Sequence, residues 1–154
     1  MQHFQLSQQQ LKAYRDDGYI IEKNFLSSEE TAKLYGIATG DDTMKNHAFD
    51  LNDQSGKKTR LALWYTPGND AYGLLTKSRR MVSSADTLME GDSAVCHFHS
   101  KLMQKEPRVG GAWEWHQDYG YWYNNGCLYP LMASCLIGID AATKENGCLQ
   151  VIPG

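Results

Sequence analysis

The sequence predicts an α+β fold in which helices come first and a β-sandwich or barrel follows. Two capping signals open helices near the N-terminus. Helix-forming runs continue to about residue 90, and after Gly91 the pattern turns to short strand-like runs separated by turn residues. With 154 residues and 42% hydrophobic content the chain is long enough for one real core, and no composition shift marks a linker. A single domain over 1–154 is expected, with helices over about 7–90 and core strands over about 93–154.

The first helix is the best specified. Ser7 with Gln10 three residues on forms a capping box, Leu6 faces Leu11 as a hydrophobic staple, and the helix runs to about Asp17 and ends at Gly18. Tyr19 to Glu22 reads as a short strand. Ser27 then caps a second helix, Glu30 reciprocates, and the end falls near Ala38 or Gly40. These helices buttress the core. The polar stretch Asp41 to Arg60 reads as a surface loop or a flap beside a site entrance. Leu61 to Tyr65 is a strand stopped by Pro67-Gly68, and Ala71 to Glu90 is helical with an interruption around Ser83-Ser84. Ser93 to Gln104, Trp113 to Gln117, Leu131 to Asp140 and Cys148 to Ile152 read as strands. Asn124-Asn125-Gly126 and Lys144 to Gly147 are among the turns between them.

A formal charge of -3 without a basic cluster argues against nucleic acid or an anionic membrane surface as a main partner. Lys57-Lys58 with Arg60, and Arg79-Arg80, are the only concentrated positive sites, and solvated faces suit them better than an anion site. Cys96, Cys127, Cys135 and Cys148 show no CxxC spacing, and three of them lie in apolar runs where a free Cys packs as a small hydrophobe. No signal-like N-terminus or membrane-length apolar window is present, so a cytoplasmic, reduced protein is expected.

The chemistry concentrates in Trp113-Glu114-Trp115-His116-Gln117-Asp118. An imidazole and a carboxylate two residues apart on an extended chain point to the same side and can grip one metal ion. His-x-Asp supplies two of the three ligands in the 2-His-1-carboxylate arrangement that binds Fe(II) and leaves positions open for other molecules. His97 and His99 alternate in the same way, and for them a second metal pair, polar or core packing, and a place on the substrate side all remain open. His3 and His47 sit in terminal and loop sequence as bystanders. Tyr119, Tyr121, Trp122, Tyr123 and Tyr129 crowd the loop after the motif, where rings can close over an apolar substrate, cage a cation or anchor the loop.

Four blocks in order resemble the phytanoyl-CoA dioxygenase family of Fe(II)/2-oxoglutarate oxygenases: Leu6 to Ile20, His99 to Met103, Trp115-His116-Gln117-Asp118, and Asn146 to Gly154. The resemblance implies a double-stranded β-helix, a jelly-roll or cupin-like barrel, of which this chain supplies the first part behind N-terminal buttressing helices. It implies His116 and Asp118 as catalytic metal ligands for Fe(II), with 2-oxoglutarate and O2 as co-substrates. Met103, Trp113 and Ser134 fall where that family contacts 2-oxoglutarate, with core filling the competing role for Met103 and Trp113. A carboxylate at Asp118, where halogenating relatives have a small residue, implies hydroxylation of a small or medium-sized organic substrate. In the family the last block continues into a Ser-His, then a second His ligand and a 2-oxoglutarate Arg, whereas this sequence stops at Gly154. The alternative is a truncated or degenerate, non-catalytic family member that binds a ligand or partner. Unpaired half-barrel edges would favour self-association.

Overall fold

The computed structural model describes residues 4–40, 42–106, 108 and 110–154; the reading of His3 falls outside them. Helix α1 spans Gln8–Asp17. At its start the Ser7 N–H donates to Gln10 Oε1 at 2.8 Å, and the Gln10 N–H donates to Ser7 Oγ at 3.3 Å, which completes the predicted box. Gly18 closes it at φ 79°, a left-handed conformation that glycine adopts without a Cβ penalty. Helix α2, Ser28–Gly40, opens the same way: the Ser27 N–H reaches Glu30 Oε2 at 2.8 Å, and Glu30 N–H returns to Ser27 Oγ at 3.2 Å.

Three strands form an open antiparallel sheet in the order β1 (Phe49–Asn52), β2 (Lys58–Trp64), β3 (Ser100–Gln104). Cross-strand partners share a face, so Ala62 lies with Leu102, and Arg60 with Gln104, on one side, while Leu61 lies with Met103 and Phe49, and Leu63 with Lys101, on the other. The first side faces α2. There Leu34 and Ala38 are buried with Ala62 and Leu102, and the Gln104 amide donates to the Ala38 carbonyl at 2.6 Å. Helix α4, Ala71–Thr76, joins the same layer: Tyr72 Oη donates to the Leu34 carbonyl at 2.7 Å, and its ring meets Trp64 edge-on. Burial there pushes the Tyr72 phenol up to about 12.

Helix α5, Arg79–Met89, is tied to α2 by Arg80 Nη2 on Glu30 Oε1 at 2.5 Å, and the same guanidinium lies over the Phe25 ring. The Arg80 hydrogen bond, then the Ser27 N–H, hold the Glu30 carboxyl below its ordinary value of 4.5. An acid with a depressed folded-state pKa stabilises the fold above the unfolded value and loses that contribution as pH falls through the folded one. Wild type should therefore melt above Glu30→Gln at neutral pH, and the difference should shrink as pH drops below about 4.5. Thermal melts across that range measure it, and a pH-independent gap would contradict the ion-pair origin.

Several expected elements differ. Residues 41–60 are not simply a loop: among those described, α3 (Asp42–His47) and β1 occupy most of the stretch, and β2 begins at Lys58. Its polar composition comes from exposed strand faces, where Asp50 sits opposite Arg60 and within 3.4 Å of Lys58 Nζ. The break in the helical stretch falls at Lys77-Ser78, because Ser78 caps α5, while the Ser83 and Ser84 hydroxyls bond back to the Arg79 and Arg80 carbonyls at 2.7 Å and stay helical. Tyr19–Glu22 is not a strand, and of Ser93–Gln104 only Ser100–Gln104 is.

Trp113–Gln117, Leu131–Asp140 and Cys148–Ile152 are extended or irregular without ladder partners. The described residues thus form an α+β structure with an open sheet, and the expected double-stranded β-helix is not formed by them. A strand exists only where a neighbour takes its N–H and C=O groups, and these runs find none. Their apolar side chains stay exposed, as at Leu131, Leu136, Leu149 and Ile152, and so do Cys96 and Cys135, which the sequence placed in a core. No described helix is long and apolar enough to cross a membrane.

Candidate functional site

The segment carrying His116 is an arm laid against the β1–β2 hairpin. Gly111 N–H donates to the Lys58 carbonyl at 3.2 Å, and Ala112 N–H to Asp53 Oδ2 at 2.9 Å. Trp113 follows on the sheet face opposite α2, with the Lys101 ammonium 5.5 Å from its ring centre. The chain bends at Trp115, is extended at Gln117 (φ -108°, ψ 124°) and turns at once into helix α6, Asp118–Asn124. His116 thus lies two residues before Asp118, the first residue of the helix. Of the aromatic run after the motif, Tyr119, Tyr121, Trp122 and Tyr123 are helical rather than looped, while Tyr129 lies beyond the helix.

The two side chains converge. His116 Nε2 lies 3.1 Å from Asp118 Oδ1. His116 Nδ1 sits 2.6 Å from the Glu114 carbonyl, which can only accept, so Nδ1 carries the proton. A neutral ring then presents the Nε2 lone pair beside the carboxylate, whereas an imidazolium would give an ordinary ion pair at the same distance. Two donors held at about 2.1 Å in adjacent positions around one metal lie about 3.0 Å apart, which the observed separation matches. A hydroxyl steadies the carboxylate: Ser134 Oγ donates to Asp118 Oδ2 at 3.3 Å. The donor pair therefore fits a divalent metal, although among the described residues no third His, Cys, Asp or Glu joins it.

Trp113, Glu114, His116 and Tyr121 line a cleft of about 190 Å³ together with Asn52 to Gln54 of the hairpin. Tyr121 of α6 meets the His116 ring edge-on, with centroids 5.8 Å apart. Met103 is on the Trp113 side of the sheet but does not line that cleft. His97 is spoken for: its ring nitrogens lie 3.1 Å from the Tyr65 carbonyl and 2.9 Å from Ser100 Oγ, so it anchors the start of β3. His99 packs against Phe98 and Trp122, and its Nδ1 is buried without a hydrogen-bond partner. Burial, then the charges of Lys101 and His97, hold its pKa below the ordinary imidazole value, against an opposing pull from Asp118.

The sequence reading missed Asp53. Its Oδ1 accepts from Ser55 N–H at 2.8 Å, Ser55 Oγ at 2.7 Å and Lys57 N–H at 2.9 Å, while Oδ2 takes the Ala112 amide. The Ser55 hydrogen bonds first, then the Ala112 amide, lower its pKa to about 2. Asp53-Gln54-Ser55-Gly56 is a recognisable turn sequence, but nothing in it announces a partner 59 residues away.

Residues 14–154 match the sequence profile of the phytanoyl-CoA dioxygenase family. The chain is 37% identical over 81 residues to an L-proline trans-4-hydroxylase of Streptomyces griseoviridis, which covers 52% of this chain and 30% of the relative. It is 24% identical to an ectoine dioxygenase of Bordetella bronchiseptica over 97% of this chain and 49% of the relative. A methylphosphonate hydroxylase of Gimesia maris is 30% identical over 96% of this chain and 56% of its own length. The chain spans about half the length, or less, of these relatives.

Proposed function

The chain belongs to the phytanoyl-CoA dioxygenase family, and from that premise we propose that it is the part of an Fe(II)- and 2-oxoglutarate-dependent dioxygenase that carries the His-x-Asp ligands, acting on a small or medium-sized organic molecule. The observation that supports it most is the convergence of His116 Nε2 and Asp118 Oδ1 at 3.1 Å, on a ring whose other nitrogen is already bonded. His116 and Asp118 would hold the iron. When bound, Fe(II) supplies the chemistry that couples oxidation of 2-oxoglutarate by O2, giving succinate and CO2, to hydroxylation of a substrate C–H bond.

The remaining work belongs to this chain's own side chains. The Glu114 carbonyl fixes the His116 tautomer by accepting a hydrogen bond from Nδ1–H. Ser134 spends its one hydroxyl proton on Asp118, so toward 2-oxoglutarate it offers lone pairs unless it leaves the carboxylate. Trp113, held under Lys101, and Met103 beside it on the sheet supply apolar wall for the co-substrate methylenes. Tyr121 meets the His116 ring edge-on and so limits its rotation beside the metal pair. The relatives act, by their names, on L-proline, ectoine and methylphosphonate, and a small-molecule substrate is proposed for this protein on that ground.

The test uses the complete polypeptide that carries this chain. Anaerobic addition of Fe(II) and 2-oxoglutarate should produce the weak visible charge-transfer band of the chelate, and admission of O2 should release succinate. Absence of both would turn the reading toward a non-catalytic binder.

A further inference from the structure

We propose that Asp53 is a positioning residue for the metal pair, its carboxylate tethering the arm that carries His116 to the β1–β2 hairpin; this rests on reading His116 and Asp118 as ligands. The two carboxylate oxygens do different jobs. Oδ1 gathers Ser55 and Lys57 and so fixes the hairpin turn, while Oδ2 reaches across to the Ala112 amide, four residues before His116. The arm has little other support there. Gly111 N–H on the Lys58 carbonyl is the adjacent bond, and it brings the backbone so close that a Cβ on Gly111 would lie 2.8 Å from the Lys57 carbonyl oxygen and 3.0 Å from Asp53 Oδ2. Glycine is needed at that position for the approach, and the approach is what lets Oδ2 reach Ala112.

Three residues, with a bend at Trp115, separate Ala112 from His116, so the placement of Ala112 constrains where the His116 ring meets Asp118 on α6. The cleft beside the pair is walled by both tethered pieces, Asn52 to Gln54 from the hairpin and Ala112 to Glu114 from the arm. Outer-shell carboxylates that orient ligands usually contact the ligand itself. Asp53 instead acts through backbone, and its removal should loosen the ligand rather than delete it.

Asp53→Asn separates the two jobs. The amide oxygen can keep the turn donors, but the –NH2 then confronts the Ala112 N–H. With Co(II) as the probe ion and the complete polypeptide, Asp53→Asn should weaken binding roughly 10–100-fold. It should also speed Ala112 amide exchange, measured without metal, by at least about tenfold. Gly111→Ala, which leaves Asp53 in place, should shift both readouts in the same direction. Asp70→Ala, which removes the α4 N-cap, should lower the melting temperature without changing Co(II) affinity. His116→Ala should lose Co(II) while Ala112 exchange stays at the wild-type rate.

Wild-type exchange or wild-type Co(II) affinity in Asp53→Asn, with His116→Ala still defective, would overturn the tether and leave the ligand reading standing. An equal loss of Co(II) in Asp70→Ala would also overturn it, since general destabilisation would then suffice. Full Co(II) affinity in His116→Ala would remove the ligand reading and the positioning role with it.

Discussion

His116→Ala should reduce iron-dependent turnover of 2-oxoglutarate to background in the complete polypeptide while leaving its melting temperature close to wild type. The expected loss is large because the ring contributes a bond to the metal. Outer-shell substitutions cost about 10–100-fold in affinity or activity, and removing a ligand should exceed the upper end of that range. The expected change in stability is small. The ring is part-exposed, it meets Tyr121 edge-on, and its Nδ1 bond is to a local carbonyl two residues away. Surface substitutions of this kind stay within about 0.5 kcal/mol. Succinate release and thermal melting on the same preparation separate the two effects. Retained turnover would remove His116 from the ligand set, and a collapsed melting temperature would show that the ring is part of the fold.

What could be read from the sequence divides by the range of the interactions concerned. Both capping boxes were legible because their partners are three residues apart, so Ser7 with Gln10 and Ser27 with Glu30 carry the whole instruction locally. The His-x-Asp pair was legible for the same reason, and its convergence needs only one extended residue before the α6 turn. Strand β1 was not legible: Phe49 to Asn52 alternates without an apolar face deep enough to distinguish it from a loop, and it is specified by its register on β2.

The runs Leu131–Asp140 and Cys148–Ile152 show the converse. Their composition is that of strands, but pairing is a property of two segments, and no described segment supplies the second. Asp53 falls between these cases. Its turn is local and readable, whereas its bond to Ala112 becomes visible only once the hairpin and the arm are placed side by side. His99 too needed the fold, since its orphaned Nδ1 follows from Phe98 and Trp122 closing on the ring.

Gly73→Ala should destabilise the protein by about 3 kcal/mol, whereas Gly36→Ala, the same change in a longer helix, should stabilise it by about 0.5–1 kcal/mol. The difference lies in what a methyl group would meet. A Cβ on Gly73 would stand 2.2 Å from the Gly68 carbonyl oxygen and 2.6 Å from its nitrogen, backbone atoms that cannot swing aside. At Gly36 nothing lies within 4 Å. The contact at Gly73 arises because the turn before α4 folds back over the helix's first residues, where Asp70 Oδ1 accepts from both the Tyr72 and Gly73 amides at 2.9 Å.

Accommodating the methyl at Gly73 means moving either that turn or α4. Moving α4 displaces Tyr72, whose hydroxyl holds the Leu34 carbonyl and whose ring packs on Trp64, so the helix layer loosens from the sheet at its most buried point. The core is small, with Leu34, Ala38, Leu61, Ala62 and Leu102 as its buried apolar members, so there is little other packing to absorb the shift. Chemical denaturation of the two variants measures both signs. A Gly73→Ala protein as stable as wild type would mean that the turn at Gly68 relaxes freely and that α4 is not fixed to α2 through Tyr72.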